Sequence, residues 1–167
     1  MADTSTHLYA IALGSNRALS AGRGPSRLLQ EALALIATQC SIIATAPTII
    51  TAPVGPSSRR FANSAAMVES SMAPPAMLAF LQSVEKRLGR RRYRRWGARS
   101  MDIDIILWSG GLWASRTLTI PHPAFAGRDF VLTPLSAVAP DWRPPRFVSR
   151  ILHLNARLNK TKRATRG

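Results

Sequence analysis

Residues 94–107, RRWGARSMDIDIIL, carry the pattern on which the fold turns. From Asp102 to Ile105 polar and apolar residues alternate, and Ile106, Leu107 and Trp108 continue apolar. That pattern predicts a strand over residues 101–108, buried on at least one face. Residues two apart on a strand point the same way, so Asp102 and Asp104 stand side by side. Just upstream, residues 86–99 hold eight Lys or Arg and no acid, which sets a positively charged loop against the edge of a rigid sheet.

Moving upstream, residues 74–88 place Met77, Leu78, Leu81, Val84 and Leu88 on one side of a helix. It opens at Pro74, which suits a first turn, and ends near Gly89. Residues 61–70 (FANSAAMVES) and the β-branched residues 42–51 read as strands, the latter running into the loop Pro53-Val54-Gly55-Pro56. Residues 26–38 predict a helix with Leu28, Leu29, Ala32, Leu35 and Ile36 at helical spacing and Ser26 as its N-cap. Residues 7–13 (HLYAIAL) form a buried strand closed by Gly14-Ser15-Asn16. The order strand, helix, strand, strand, helix, strand is that of the split βαβ arrangement of ferredoxin-like folds. Downstream, residues 118–120 suggest a short strand and residues 131–137 a helical turn. Residues 146–158 predict a terminal helix with Phe147, Ile151, Leu154 and Leu158 on one face. One domain over residues 1–158 is expected, with a flexible basic tail at 159–167 whose removal leaves function intact.

The whole chain has 167 residues, 46% of them hydrophobic, which suits a single well-cored domain. No uncharged apolar run of about 18 residues and no signal pattern is present, so a cytoplasmic protein with no membrane partner is expected. Cys40 is the only cysteine, which excludes an internal disulfide and a zinc finger and leaves it as a small core residue. Lys and Arg number 23 against 8 Asp and Glu, a net charge of +15. Residues 143–167 contribute eight of these cations and no acid. Arg outnumbers Lys 20 to 3, which suits bidentate phosphate recognition, although a coding bias toward Arg gives the same count. Two classes fit such a charge: a nucleic-acid binder, or an enzyme whose substrate carries several phosphates.

The aspartate pair separates them. A bare D-x-D is more often a solvated pair of ion-paired carboxylates. Here Arg90, Arg92, Arg95 and Arg99 form a cluster able to neutralise a polyphosphate, and Trp96 adds an aromatic face. Carboxylates closing a basic run repel an RNA backbone but hold Mg²⁺ on a nucleoside triphosphate, so phosphoryl-type transfer is favoured. His122 lies between Pro121 and Pro123 on stiff backbone, within reach of a phosphate or ribose. Phe61 and Phe130 are candidates to sandwich a ring, and Asn63 shares a strand face with Phe61 and offers both donor and acceptor to a heterocycle. Neither a P-loop nor a G-x-G-x-x-G fingerprint is present, and no RNP pattern supports the rival reading of a small RNA-binding protein.

Together these pieces resemble one family, the 6-hydroxymethyl-7,8-dihydropterin pyrophosphokinases of folate synthesis. The matching segments are YAIALGSN at 9–16, TAPVGP at 51–56, FANSA at 61–65, QSVEKRLGR at 82–90, RRWGARSMDIDIIL at 94–107, LTIPHP at 118–123 and GRDFVLTPL at 127–135. The resemblance implies an α+β, ferredoxin-like βαββαβ core with a mainly antiparallel sheet and C-terminal additions. It implies transfer of pyrophosphate from ATP to the pterin hydroxymethyl group, releasing AMP. Asp102 and Asp104 would hold two Mg²⁺ ions and, with Arg90 and Arg99, form the catalytic group. Gln82, Glu85, Arg92, Arg95, Trp96, Ile105, Thr119, His122 and Arg128 would bind ATP. Thr51, Val54, Phe61, Asn63 and Phe130 would bind the pterin. The expected partners are MgATP and the reduced pterin alcohol, for a monomer whose tail binds polyanions at most weakly. The chain departs from the family at Phe61, where tyrosine is frequent, at Ala52 and Ala98, where proline is, and at Pro123, where an aromatic is. A member that binds nucleotide without turnover is disfavoured by the retained aspartate pair.

Overall fold

The computed structural model describes residues 5–52, 59–89 and 101–165. The elements run β1 (His7–Ser15), α1 (Pro25–Ile36), β2 (Ser41–Thr45), β3 (Ile49–Thr51), β4 (Phe61–Ser70), α2 (Pro74–Arg87), β5 (Asp102–Trp108), β6 (Trp113–Ala114), β7 (Thr119–Ile120), a 3₁₀ turn (Phe125–Gly127), α3 (Asp129–Val138) and α4 (Ile151–Ala164). The main sheet has the order β2-β4-β1-β5, with β3 also on β4, and every pairing in it is antiparallel. β4 lies between β1 and β2, which splits the first βαβ unit as the α+β, ferredoxin-like order requires.

Alternation along the central strands builds two cores. Tyr9, Ile11 and Leu13 of β1, with Ala62, Ala66 and Val68 of β4 and Ile103 and Ile105 of β5, face α1 and α2. Ala10, Ala12, Ala65, Ile106 and Leu107 face the other way, toward Val131, Leu132 and Leu135 of α3 and Ile151 of α4. The first face is covered along its length by two helices. On the second, residues 12, 14, 63, 102 and 104 border an open cleft beside the start of α3.

Several boundaries differ from the sequence reading, each for a local reason. The strand expected over residues 42–51 is two strands, because Pro47 lacks the N–H to continue the ladder. Across the gap the Ala46 N–H bonds the Ala65 carbonyl, and the Ser64 hydroxyl bonds the Ala46 carbonyl. Ser26 is not the cap of α1: Gly24 occupies that position and Pro25, whose missing N–H costs nothing there, is the first helical residue. Gly89 ends α2 with φ +80°, where a Cβ would stand 2.7 Å from Leu19 Cδ2. α3 is ten residues rather than a turn, despite Pro134 within it. α4 starts later than expected, at Ile151, since Arg146 has φ 67° and Phe147 turns aside to meet Phe125 edge-on at 5.3 Å. It runs through Ala164, so residues 159–164 are helical.

Candidate active site

Register places the aspartates. Gly14 on β1 lies opposite Asn63 on one side and Asp102 on the other. Ala12, two residues earlier, lies opposite Ala65 and Asp104. Two small residues on the middle strand therefore floor a cleft whose flanks carry Asn63, Asp102 and Asp104. Gly14 leaves room for the amide: a Cβ would come 3.2 Å from Asn63 Oδ1, close enough that the Asn63 side chain would have to shift.

Phe61, two residues before Asn63, and Phe130, second residue of α3, line the same cleft, which encloses about 510 Å³ including its open mouth. Asn63 is 5% exposed, and its Nδ2 donates to Thr51 Oγ1 at 2.8 Å, with Thr51 itself opposite Phe61 in the β3–β4 register. Thr51 thus sets which way the amide of Asn63 faces. The Arg128 guanidinium stands 5.8 Å over the Phe130 ring, a cation–π contact that brings positive charge to the cleft. Asp129, between them, donates nothing and accepts twice: its Oδ1 from the Phe130 N–H at 2.9 Å, its Oδ2 from Lys162 Nζ at 2.6 Å. Desolvation pushes its carboxyl upward, but the Lys162 bond and charge, with the Phe130 N–H, outweigh that and hold it below the ordinary carboxylate value.

A second cleft, about 700 Å³ with its mouth, opens on the other side of β5. Asp104 lines both. Ile105, Thr119, His122 and Pro123 line the second, together with Leu78, Leu118 and Arg116. A β-bulge positions His122: β5 carries Ile106 as an extra residue between the partners of Ala10 and Ile11, and the Ile106 carbonyl accepts the His122 N–H at 3.0 Å. His122 Nδ1 accepts the Ala124 N–H at 3.2 Å, so the neutral ring carries its proton on Nε2 as a donor.

The structure therefore brings Phe61, Asn63 and Phe130 together with Asp102 and Asp104, and Ile105, Thr119 and His122 together, with Asp104 common to both. Thr51 touches the first group through Asn63. Arg128, expected on the ATP side, lines the first cleft. Glu85 lines neither: it is 3% exposed on α2, and its Oε1 accepts the Ile103 N–H at 2.7 Å, between the two aspartates. Gln82, one turn beyond Leu78 on α2, also lines neither. Val54, Arg90, Arg92, Arg95, Trp96 and Arg99 lie outside the described residues. Arg116 escaped the sequence reading, since a lone arginine in a short loop carries no pattern; the β6–β7 pairing around it shows its place.

Among the described residues no group of three or more His, Cys, Asp or Glu side chains could hold a metal ion. Two adjacent carboxylates on a floor of small residues nevertheless fit Mg²⁺, which keeps several waters and takes one or two carboxylates together with substrate phosphates.

The site is thus an antiparallel α+β sheet that carries an acidic pair in one cleft, one member of which, Asp104, also lines a second. Residues 10–140 match the family described as 7,8-dihydro-6-hydroxymethylpterin-pyrophosphokinase, and the chain belongs to that family. It is 38% identical over 138 residues to the 2-amino-4-hydroxy-6-hydroxymethyldihydropteridine pyrophosphokinase of Pseudomonas aeruginosa, covering 81% of this chain and 82% of that one. The Haemophilus influenzae enzyme of the same name is 35% identical over 134 residues, 78% of this chain and 81% of that one. The match to the Synechocystis relative, 38% over 100 residues, spans 60% of this chain and 51% of that protein. The fold is shared with the HPPK-DHPS of Plasmodium falciparum solved with pterin and p-hydroxybenzoate: TM-score 0.75 at 15% identity, covering 98% of this chain and 44% of that one. Among the described residues no helix is long and apolar enough to cross a membrane.

Proposed function

We propose that this chain transfers pyrophosphate from ATP to the hydroxymethyl group of 6-hydroxymethyl-7,8-dihydropterin, giving the pterin diphosphate and AMP in tetrahydrofolate synthesis. The observation that carries this is the position of Asp104, which lines both the aromatic cleft and the cleft of Thr119 and His122. Phe61 and Phe130 stack on the two faces of the pterin, and Asn63, held by Thr51, reads its edge. Ile105, Thr119 and His122 hold ATP in the second cleft, with the Nε2–H of His122 donating to ribose or phosphate.

Asp102 and Asp104 are the residues that would hold Mg²⁺, two ions in all, which when bound neutralises phosphate charge and polarises the β-phosphoryl oxygens. The hydroxyl oxygen attacks the β-phosphorus in line as the α,β-bridging oxygen departs with AMP, so the residues act chiefly by positioning and by charge. Arg128 brings a cation to the first cleft. Arg90 and Arg99, with Arg92 and Arg95, complete the charge around the triphosphate, and Trp96, Gln82 and Glu85 complete the ATP side. Val54 adds to the pterin wall. Asp102 can also take the hydroxyl proton, a role secondary to metal binding. The protein acts as a cytoplasmic monomer.

The test is AMP release with ATP, Mg²⁺ and the reduced pterin alcohol, omitting each in turn. AMP that requires all three, and that stops when the metal is chelated, is expected. Wild-type protein that releases no pterin-dependent AMP overturns the assignment.

A further inference from the structure

The C-terminal helix reaches back to the wall of the pterin cleft. Along α3, Asp129, Thr133 and Ser136 follow helical i, i+4, i+7 spacing, and along α4 so do Asn155, Asn159 and Lys162. The two rows meet antiparallel. Thr133 Oγ1 bonds Asn155 Oδ1 at 3.2 Å, Asn155 Nδ2 bonds Ser136 Oγ at 3.1 Å, and Asn159 Nδ2 bonds Asn155 Oδ1 at 3.3 Å. At the far end Lys162 Nζ meets Asp129 Oδ2 at 2.6 Å. Leu154 and Leu158 pack beside this seam on the second core, as does Phe130.

Asp129, the first residue of α3, sits between Arg128 and Phe130, which both line the cleft. Its Oδ1 takes the Phe130 N–H and its Oδ2 takes Lys162, so both oxygens are engaged and the neighbouring Arg128 guanidinium stays over the Phe130 ring. We propose that Lys162 is a positioning residue for the pterin site: by occupying Asp129 it keeps the carboxylate from drawing Arg128 off Phe130. Without Lys162, Asp129 Oδ2 loses its cation, and Arg128, the preceding residue on a long flexible stem, is the neighbour that can replace it; a charge-assisted hydrogen bond formed there would compete with the weaker cation–π contact. Residues 159–164 then belong to the machinery that shapes the cleft. This replaces the expectation that cutting the chain after Leu158 is without consequence, and it rests on the pterin reading of that cleft.

The test is equilibrium binding of 6-hydroxymethylpterin, followed by its fluorescence, to the full-length chain with Mg²⁺ and a non-hydrolysable ATP analogue. Turnover is measured alongside. Because the ion pair is part exposed, Lys162→Met is expected to weaken pterin binding and raise the pterin KM about threefold to fivefold. The ATP KM should move less than twofold. Lys162→Arg keeps the wild-type values. The double variant Lys162→Met with Asp129→Asn recovers most of the affinity, since no carboxylate remains to compete for Arg128; a role confined to docking α4 predicts no such recovery. An unchanged pterin affinity in Lys162→Met, or a double variant no better than the single, overturns the proposal while leaving the assigned reaction standing. Wild-type protein that neither binds nor turns over the pterin overturns the functional reading and this proposal with it.

Discussion

Thr51 reaches the first cleft through Asn63, whose Nδ2 donates to its hydroxyl, and so sets which way that amide faces. Thr51→Val keeps the shape and removes the acceptor. A neutral hydrogen bond is worth about 0.5–1.5 kcal/mol, so the pterin KM should rise about threefold to tenfold while the ATP KM stays within twofold, as steady-state kinetics will show. The aspartates were legible in the sequence because strand alternation fixes their common face. Asn63 was legible for the same reason, two residues from Phe61. The burial of Glu85 was less legible: as an acidic residue near the end of a helix it resembles a ligand-facing group, and the structure shows it 3% exposed with Oε1 on the Ile103 N–H. The clue was its spacing, four residues after Leu81 on the apolar side of α2, which buries it against β5.

Elements carry the next set of consequences. Glu85→Ala removes the acceptor of the Ile103 N–H and leaves a buried donor without it, at a cost of about 1–3 kcal/mol. For a chain of this size that lowers Tm by about 3–10 °C in calorimetry, and Glu85→Gln, which retains an acceptor, recovers most of it. Tyr9 ties β1 to the turn after β4 by donating to the Met72 carbonyl at 2.6 Å, and burial pushes its phenol up to about 12, from an ordinary value of 10.0. A folded value above the unfolded one means the neutral form is favoured by folding. The stabilisation is thus complete below pH 10 and lost as pH rises toward 12, about 1.4 kcal/mol for each unit. Urea unfolding between pH 9 and 12 should show this fall in wild type and a flatter profile in Tyr9→Phe. Periodicity disclosed β1, β4, β5, α1 and α2, where buried faces repeat over many residues. It understated α3, since Pro134 interrupts the pattern, and it ended α4 early, because the seam with α3 is polar and periodicity was read from apolar residues alone.

At the scale of the whole molecule the net charge of +15 divides into parts with different work. One cation of the tail, Lys162, is engaged on α3. The eight in residues 86–99 precede the strand that carries the carboxylates. The topology explains why those carboxylates sit where they do: α3 and α4 cover only part of one face of the sheet and leave the first cleft on the remainder, while the second cleft opens on the other side of the edge strand β5, and Asp104 on that strand lines both. The fold order was legible from the alternation of strand and helix patterns. The meeting of the clefts was not, because it depends on β1 pairing with β4 and β5 at once. The most direct test of that meeting point is pterin-dependent AMP release by Asp104→Ala, with its Tm measured in parallel. Loss of a charge at the centre of the reaction is expected to cut turnover by at least about 100-fold with the fold intact. Turnover close to that of wild type in a folded Asp104→Ala protein would contradict the account.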